Sequence, residues 1–135
     1  MASTRPYIPV ANPDTQAFWD GAGRGELMLQ RCVVCQAFRH PPSPICHNCL
    51  SNKHEWLKAS GRGTVFTFVV VRQAPARGWG DRVPYVVAVV ALEEGPHYLT
   101  NIVGIAPEAV TIGMPVEVMF EELDGTTKLP VFRPR

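Results

Sequence analysis

The fold is decided in residues 31–49, which read RCVVCQAFRHPPSPICHNC and contain all four cysteines of the chain. Cys32, Cys35, Cys46 and Cys49 form two C-x-x-C pairs separated by ten residues. Each pair can turn back tightly enough for both sulfurs to meet one ion, so the two pairs together supply the four thiolates of a tetrahedral site. The spacing therefore predicts one structural zinc ion with these four cysteines as its ligands.

Other uses of this cysteine pattern are less favoured. Two disulfides would need an oxidising compartment, whereas no signal peptide is recognised and the pattern is typical of a reduced, cytosolic protein. Iron can occupy the same four-thiolate cage, because spacing alone does not distinguish the two metals. A redox-active C-x-x-C pair would need a strand–helix context that the sequence lacks. Four protein ligands leave no position for a metal-bound water, so we expect the ion to hold the fold and not to catalyse a reaction.

Charge is distributed unevenly along the 135 residues, although the net charge is only +1. Residues 61–83 carry four arginines and one aspartate, whereas residues 84–135 carry seven acidic residues against three basic ones. The balanced total gives no general attraction to nucleic acid. The longest apolar run, residues 85–92, is far too short to span a bilayer. These features predict a soluble cytoplasmic protein.

Thirteen prolines and eleven glycines divide the chain into short segments, which favours short strands over long helices. One helix is expected near the start, over Thr15 to Ala22 with Asp14 as its N-cap. A helix this short is marginal alone, so its large aromatic residues, Phe18 and Trp19, must be buried either on the chain itself or on another protein. We predict that both contribute to a partner interface.

Residues 26–60 are predicted to form a small zinc ribbon with little hydrophobic core. Alternation in residues 26–31 indicates a strand that leads into the first cysteine pair. The proline-rich residues 40–44 should cross to the second pair in an extended conformation, with His40 as a turn residue. Structural zinc contributes about 10–16 kcal/mol of apparent binding free energy in finger peptides, more than so few apolar side chains can supply. We therefore expect chelation to unfold this part first.

After residue 61 the pattern changes to β-branched runs that predict a mainly β domain. Five strands are expected, at residues 64–72, 84–93, 98–103, 115–122 and 129–132. This count and length favour a five-stranded OB-fold barrel. Alternation assigns these residues to its interior: Phe66, Phe68, Val70, Val87, Val89, Val116 and Val118. The predicted organisation is an N-terminal arm and helix (1–25), a rubredoxin-like zinc ribbon (26–60) and an OB-fold (61–135).

The order of these segments resembles one protein family over nearly the whole chain. The resemblance is carried by Phe18-Trp19, Gly25-Glu26-Leu27, Arg31-Cys32-x-x-Cys35, Pro41-Pro42, Cys46-x-x-Cys49, Gly61-Arg62-Gly63-Thr64-Val65, Val83-Pro84-Tyr85 and Ile112-Gly113-Met114-Pro115-Val116. The chain is similar to the zinc-ribbon and OB-fold acyl-CoA-associated proteins, a domain of unknown function found in accessory proteins of thiolases and aldolases. His47 departs from the family, which more often has proline there. It could be an additional metal ligand, but with four thiolates present an exposed histidine beside the metal is expected.

The resemblance implies an accessory role in lipid or polyketide metabolism. Proteins of this family are typically assembled with thiolase-like enzymes that make or break carbon–carbon bonds in acyl-CoA or related acyl substrates. Examples are sterol side-chain aldolases and acyltransferases that build polyketide-like aromatics. The resemblance implies that the partner carries the catalytic residues, that the helix and ribbon pack on it, and that the barrel holds or passes the CoA ester.

A CoA ester needs cations for its phosphates and an aromatic or apolar wall for its adenine. Arg72, Arg77 and Arg82 surround Trp79 in one loop, and we take these four residues as candidate ligand-binding residues. The alternative is that the arginines form a solvated edge and Trp79 covers the barrel. Neither a nucleophile–base motif nor a phosphate-binding glycine loop is recognised, so no catalytic residue is assigned.

A competing hypothesis is a single-stranded nucleic-acid-binding module, because zinc ribbons and OB barrels also bind strands. Such binding needs a basic groove with aromatic side chains spaced for stacked bases. It normally accompanies a domain pI above about 9, whereas this chain has a pI near 7.7. The acyl-CoA interpretation is therefore favoured.

Overall fold

The structure is a computed structural model that describes residues 8–75, 77 and 79–135. Its first element is helix α1, Gln16–Gly23, which confirms the predicted helix. The cap differs from the prediction, because the N-cap residue is Thr15 and makes no side-chain cap hydrogen bond. Instead, Asn12 Oδ1 accepts hydrogen bonds from the backbone N–H of Asp14 and Thr15, at 2.9 and 3.0 Å, and holds the turn that precedes the helix. Within the described ranges, no helix has the length and apolarity needed to span a membrane.

A three-stranded antiparallel sheet follows the helix. It consists of β1 (Met28–Cys32), β2 (Phe38–Arg39) and β3 (His54–Lys58), in the order β2-β1-β3. The first strand was predicted, and it runs directly into the first cysteine. The other two carry weak sequence signals, since β2 has only two residues and β3 has charged or polar residues at both ends.

The proline-rich crossing, residues 40–44, is held by two buried polar side chains. The guanidinium of Arg39 donates from Nε and Nη2 to the carbonyl oxygen of Ser43, at 3.1 and 2.6 Å. The Oε1 atom of Gln30 accepts a hydrogen bond from the Ser43 backbone N–H at 2.8 Å. Both side chains are at most 4% exposed. These bonds replace the strand pairing that prolines cannot make.

The remaining strands close into a barrel, as predicted for an OB-fold. The strands are β4 (Arg62–Val71), β5 (Tyr85–Leu92), β6 (His97–Ile102), β7 (Pro115–Glu122) and β8 (Lys128–Pro134). Their order around the barrel is β4-β5-β6-β8-β7. Neighbouring strands are antiparallel except β6 and β8, which meet in parallel at Ile102 and Phe132. Two short 3₁₀ turns, Gly80–Arg82 and Pro107–Ala109, lie in the connections.

The predicted interior of β5 is wrong by one residue. The buried side chains of this strand are Val86, Ala88, Val90 and Leu92, whereas the predicted Val87 and Val89 lie on the outer face and are only half-buried. Alternation cannot choose between the two faces here, because both sets of positions are apolar.

A β-bulge changes the phase of β4. The pairing register with β5 shifts between Val65 and Thr67, so Phe66, which is 55% exposed, and Thr67 both point outward, and the inward positions move from Val65 to Phe68 and Val70. Phe66 is therefore not an interior residue, contrary to the prediction. Beyond the bulge, Phe68 and Val70 pack against the core as expected. An extra residue in one strand moves every following side chain to the other face.

The ribbon and the barrel share one hydrophobic core. Phe18, Leu27 and Leu29 are at most 5% exposed and belong to the same cluster as Tyr98 and Phe132 of the barrel. The ribbon therefore has more apolar packing than its own length suggested. This burial also corrects the expected interface role of Phe18, which has almost no surface left for a partner. For Trp19, which is half-buried, the interface stays a prediction.

His40 lies at the junction of the three parts and is not a simple turn residue. Its imidazole stacks on the Tyr98 ring at 4.5 Å between centroids and lies 5.5 Å from the Phe18 ring. It thereby connects the ribbon to both the barrel and the helix. Burial lowers the pKa of His40 to about 4, so the ring is neutral near pH 7.

Candidate functional site

Two matching turns present the four cysteines to one point. In the first turn, the Gln36 N–H donates to the Cys32 carbonyl at 3.0 Å, and the Cys35 N–H points at the Cys32 sulfur at 3.5 Å. In the second turn, the Leu50 N–H donates to the Cys46 carbonyl at 2.9 Å. The same backbone bond thus closes both turns, which explains why each C-x-x-C pair directs its sulfurs inward.

The positions of the sulfur atoms fit a tetrahedral metal site. All four lie within 4.8 Å of one another, with Cys32 and Cys49 at 3.5 Å and Cys35 and Cys46 at 3.6 Å. Four thiolates at about 2.3 Å from one zinc ion would be about 3.8 Å apart, close to these distances. The thiols are free, and the separations are far longer than the roughly 2.05 Å of a disulfide.

Electrostatics in the cluster favour a bound cation. The backbone N–H of Cys35 is the main cause of a lowered pKa at Cys32, and the backbone N–H of Cys49 does the same for Cys46. At Cys49 the Ser51 N–H lowers the pKa, but burial and the three neighbouring cysteines outweigh it and raise the pKa to about 12. The fourth thiolate is thus unfavourable beside the other three unless a positive charge balances them.

A cleft opens in the barrel near the loop that the sequence singled out. It has a volume of about 370 Å³ and is lined by Trp79, Asp81, Arg82, Pro84, Tyr85, Val86, Asn101, Ile102, Val103, Ile105 and Pro107. The rings of Trp79 and Tyr85 lie 5.3 Å apart, and the Arg82 guanidinium carbon is 5.7 Å from the Trp79 ring centroid. A lining of apolar and aromatic side chains with a few polar groups is typical of a small-molecule site.

The structure brings together only two of the four predicted ligand-binding residues. Trp79 and Arg82 line the cleft, whereas Arg72 and Arg77 are exposed and do not. Tyr85 and Asn101 were not predicted, because they belong to strands whose sequence signal is that of ordinary barrel positions. Only the folded barrel places them next to the loop.

Half of the six arginines in residues 61–135 are paired with glutamates. In the described part of the barrel, three ion pairs are present: Arg72–Glu108 at 3.6 Å, Arg82–Glu121 at 3.5 Å and Arg133–Glu117 at 3.3 Å. Paired cations of this kind do not form the continuous basic groove that single-stranded nucleic acid requires. The nucleic-acid hypothesis is therefore disfavoured by the described part of the barrel.

Comparisons with known proteins agree with this architecture. Two family models match the chain: the ChsH2 rubredoxin-like zinc ribbon domain over residues 19–55 and the ChsH2 C-terminal OB-fold domain over residues 56–121. A DUF35 domain-containing scaffold protein of Methanocaldococcus jannaschii is 39% identical over 98 residues, which make up 72% of this chain and 69% of that protein. The chain belongs to the DUF35 family.

Two further relatives are described as subunits of enzymes. The chain is 41% identical to the probable enoyl-CoA hydratase alpha subunit of Thermomonospora curvata over 93% of its own length but only 39% of that protein. The 3-oxo-4,17-pregnadiene-20-carboxyl-CoA hydratase alpha subunit of Mycobacterium tuberculosis is 43% identical over 83% of this chain and 35% of that subunit. The chain therefore spans less than two-fifths of either hydratase subunit.

A solved structure extends the DUF35 comparison to three dimensions. The chain superimposes on a chain of the Ltp2-ChsH2(DUF35) aldolase with a TM-score of 0.85 and 41% identity, covering 94% of this chain and 98% of that one. The match to the zinc ribbon model and the four clustered cysteines are together consistent with a structural zinc ion. His47 is exposed and stands outside the group of candidate metal ligands among the described residues.

Two residues of the DUF35 ribbon adopt a backbone conformation that the sequence did not indicate. Gln36 and Leu50 each follow the second cysteine of a pair and have positive φ angles of 68° and 67°. Glycine is the residue that usually accepts this left-handed conformation. Neither residue type predicts it; both are the residues whose backbone N–H closes a cysteine turn on the carbonyl of Cys32 or Cys46.

Proposed function

We propose that this chain is a non-catalytic accessory subunit of a thiolase-like enzyme, an acyltransferase or aldolase that acts on acyl-CoA or related acyl substrates. The observation that carries this proposal is its 41% identity, over 98% of the matched chain, to a chain of the Ltp2-ChsH2(DUF35) aldolase. The proposal includes the division into an arm and helix (1–25), a zinc ribbon (26–60) and an OB-fold (61–135).

The side chains of the cleft support a binding role over a catalytic one. Its described lining contains no serine, cysteine or histidine, and its ionisable residues at the loop are Asp81 and Arg82. The guanidinium of Arg82 is also paired with Glu121. Nucleophilic catalysis needs a nucleophile and a base within hydrogen-bond reach of each other. The cleft therefore suits holding a substrate whose reactive group is transformed elsewhere.

Cys32, Cys35, Cys46 and Cys49 would hold the zinc ion. Four protein ligands supply structural cross-linking and leave no position for a substrate or water. The cysteine turns are then held together by the metal, while the barrel provides the ligand cleft. This arrangement places stability and binding in different parts of the same small chain.

The cleft would receive part of a CoA ester. Its volume of about 370 Å³ falls within the range of about 300–1,000 Å³ for small-molecule sites. Trp79 and Tyr85 provide aromatic walls, and Ile102 and Ile105 provide apolar surface. The exposed Arg72 and Arg77, on the same loop as Trp79, would meet the phosphates outside the cleft.

The proposed function is tested by co-expressing the full chain with the thiolase-like protein of its source organism. We expect a stable complex that turns over an acyl-CoA substrate, one zinc ion per chain and no turnover by the isolated chain. Titration of acetyl-CoA into the complex should show weaker binding for Trp79→Ala than for the wild-type chain. Robust turnover by the isolated chain, or the absence of any complex, would overturn the proposal.

A further inference from the structure

The outer surface of the barrel is divided into a charged part and an uncharged part. On β7 and β8 the outward side chains include charged residues such as Glu117 and Arg133, which form an ion pair. On β4, β5 and β6 the register aligns outward side chains in four rows: Thr64–Ala91–His97, Thr67–Val89–Leu99, Val69–Val87–Asn101 and Val71–Tyr85. These described rows contain no Asp, Glu, Lys or Arg; the one charged residue of β4, Arg62, lies beyond the first row, opposite Glu117 of β7. We call this surface, together with Phe66, the apolar face.

Large side chains of the apolar face are open to solvent. Leu99, Val69 and Phe66 are 69%, 59% and 55% exposed. The Phe66 ring packs on the His97 ring, with 4.5 Å between centroids, so these outward groups form a continuous surface along the strands. Adjacent exposed apolar side chains on one sheet face are typical of a protein–protein contact.

The apolar face reaches the ligand cleft. Asn101 and Tyr85 belong to its last two rows and also line the cleft. A ligand held in the cleft has to present its reactive end to catalytic residues of the partner. The partner must therefore cover the mouth of the cleft, and the surface that borders this mouth is the apolar face.

We infer that the apolar face is the surface of the barrel on which the thiolase-like partner docks, in addition to the predicted contact at Trp19, so that the partner closes the cleft and completes the ligand site. This inference rests on the proposed function. A second copy of the chain is a poorer occupant, because it would cover the mouth of the cleft with a surface that brings no catalytic group. An uncharged face also requires an uncharged partner surface, since burying an unpaired charge against it is costly.

The test compares partner affinities of full-length variants that place charge on or away from the apolar face. Leu99→Arg and Leu99→Glu introduce opposite charges at its centre, and Val69→Glu repeats the change in the neighbouring row. Leu99→Met is the conservative control, and Glu122→Lys changes the charge of an exposed residue at the end of β7. Dissociation constants for the co-expressed thiolase-like protein are measured by biolayer interferometry, after circular dichroism and zinc content confirm the fold.

We expect all three charged variants on the apolar face to bind the partner at least about tenfold more weakly, while both controls stay within about twofold of the wild-type chain. If the wild-type chain binds and the charged variants bind equally well, the inference is wrong and the proposed function stands. If the wild-type chain binds no thiolase-like protein, the proposed function fails and the inference falls with it. Self-association of the wild-type chain that Leu99→Glu abolishes would assign the face to a second copy and overturn the inference.

Discussion

At the scale of single residues, His40 shows how a half-buried polar side chain can pack against a hydrophobic core. Its ring packs against both Tyr98 and Phe18, where an apolar residue would be expected. The cost is that the ring has to stay neutral, because a charge in this position would lose its hydration. The protonation of one imidazole is therefore coupled to the packing of the ribbon on the barrel.

The lowered pKa of His40 predicts that the folded chain loses stability in acid. Its pKa is about 4 in the folded chain and about 6.5 in the unfolded chain, so the unfolded state takes up the proton first. The contribution of His40 is fully present above pH 6.5 and is lost as the pH falls towards 4, by up to about 3 kcal/mol. Urea denaturation of the zinc-loaded chain at a series of pH values measures this loss.

The matched variant is His40→Phe, which keeps an aromatic ring against Tyr98 but cannot titrate. Protonation of the metal-binding cysteines in acid affects both proteins equally, so the difference between their unfolding free energies isolates the imidazole. We expect this difference to change between pH 6.5 and 4. A difference that is constant with pH would show that His40 does not titrate on unfolding.

The close packing around Gly63, at the start of the barrel, predicts that an added side chain would clash with the neighbouring strand. A Cβ atom on this residue would lie 2.5 Å from the carbonyl oxygen of Ala91, a backbone atom that cannot move freely. We expect Gly63→Ala to lower the free energy of unfolding by about 2–3 kcal/mol, as overpacking does. Gly80→Ala is the control, because nothing lies within 4 Å of its added methyl group. Equal thermal stability of the two variants would contradict the close approach of β4 and β5.

At the scale of elements, the cysteine turns differ from the strands around them. Val33, Val34, Ile45 and Leu50 are all at least 44% exposed, so the turns bury little apart from Cys32 and Cys46. The β1 strand, by contrast, contributes Leu29 to the shared core. Metal therefore stabilises the turns, while apolar packing stabilises the sheet behind them.

Removal of the metal should unfold the turns and leave the barrel. We expect chelation to raise amide hydrogen exchange in residues 33–36 and 43–53 by orders of magnitude, while β4 to β8 stay protected. Exchange measured by mass spectrometry before and after chelation reports on each segment. Addition of zinc should restore protection. Loss of protection in the barrel at the same chelator concentration would contradict a local role for the metal.

At the scale of the whole molecule, one core joins three segments that the sequence divides. The cluster includes Phe18 from the helix, Leu29 from the ribbon and Phe132 from the barrel. Cooperative unfolding is expected for a chain with a shared core of this kind. The half-buried Trp19 lies at its edge, with its ring 5.0 Å from that of Phe18.

Substitution of Phe18 and substitution of its neighbour Trp19 should therefore have different effects on stability and on partner binding. We expect Phe18→Ala to lower the free energy of unfolding by about 3 kcal/mol in a single transition, because it leaves a cavity in the shared core. Trp19→Ala should lose less stability but bind the thiolase-like partner at least about tenfold more weakly. Thermal denaturation and affinity measurements on both variants separate the two effects. Wild-type affinity of Trp19→Ala would show that this side chain is only internal.

The sequence alone determined the metal-binding pattern, the helix and the five barrel strands, because cysteine spacing, turn residues and β-branched runs are local signals. Tertiary structure decided which face of β5 is buried, because valines occupy both faces and alternation alone does not show which of two apolar faces points inward. It also decided the burial of Phe18, the packing of His40 against Tyr98 and the joining of Tyr85 and Asn101 to the cleft. These contacts connect residues far apart in the chain, so only the closed barrel and its packing against the ribbon could establish them.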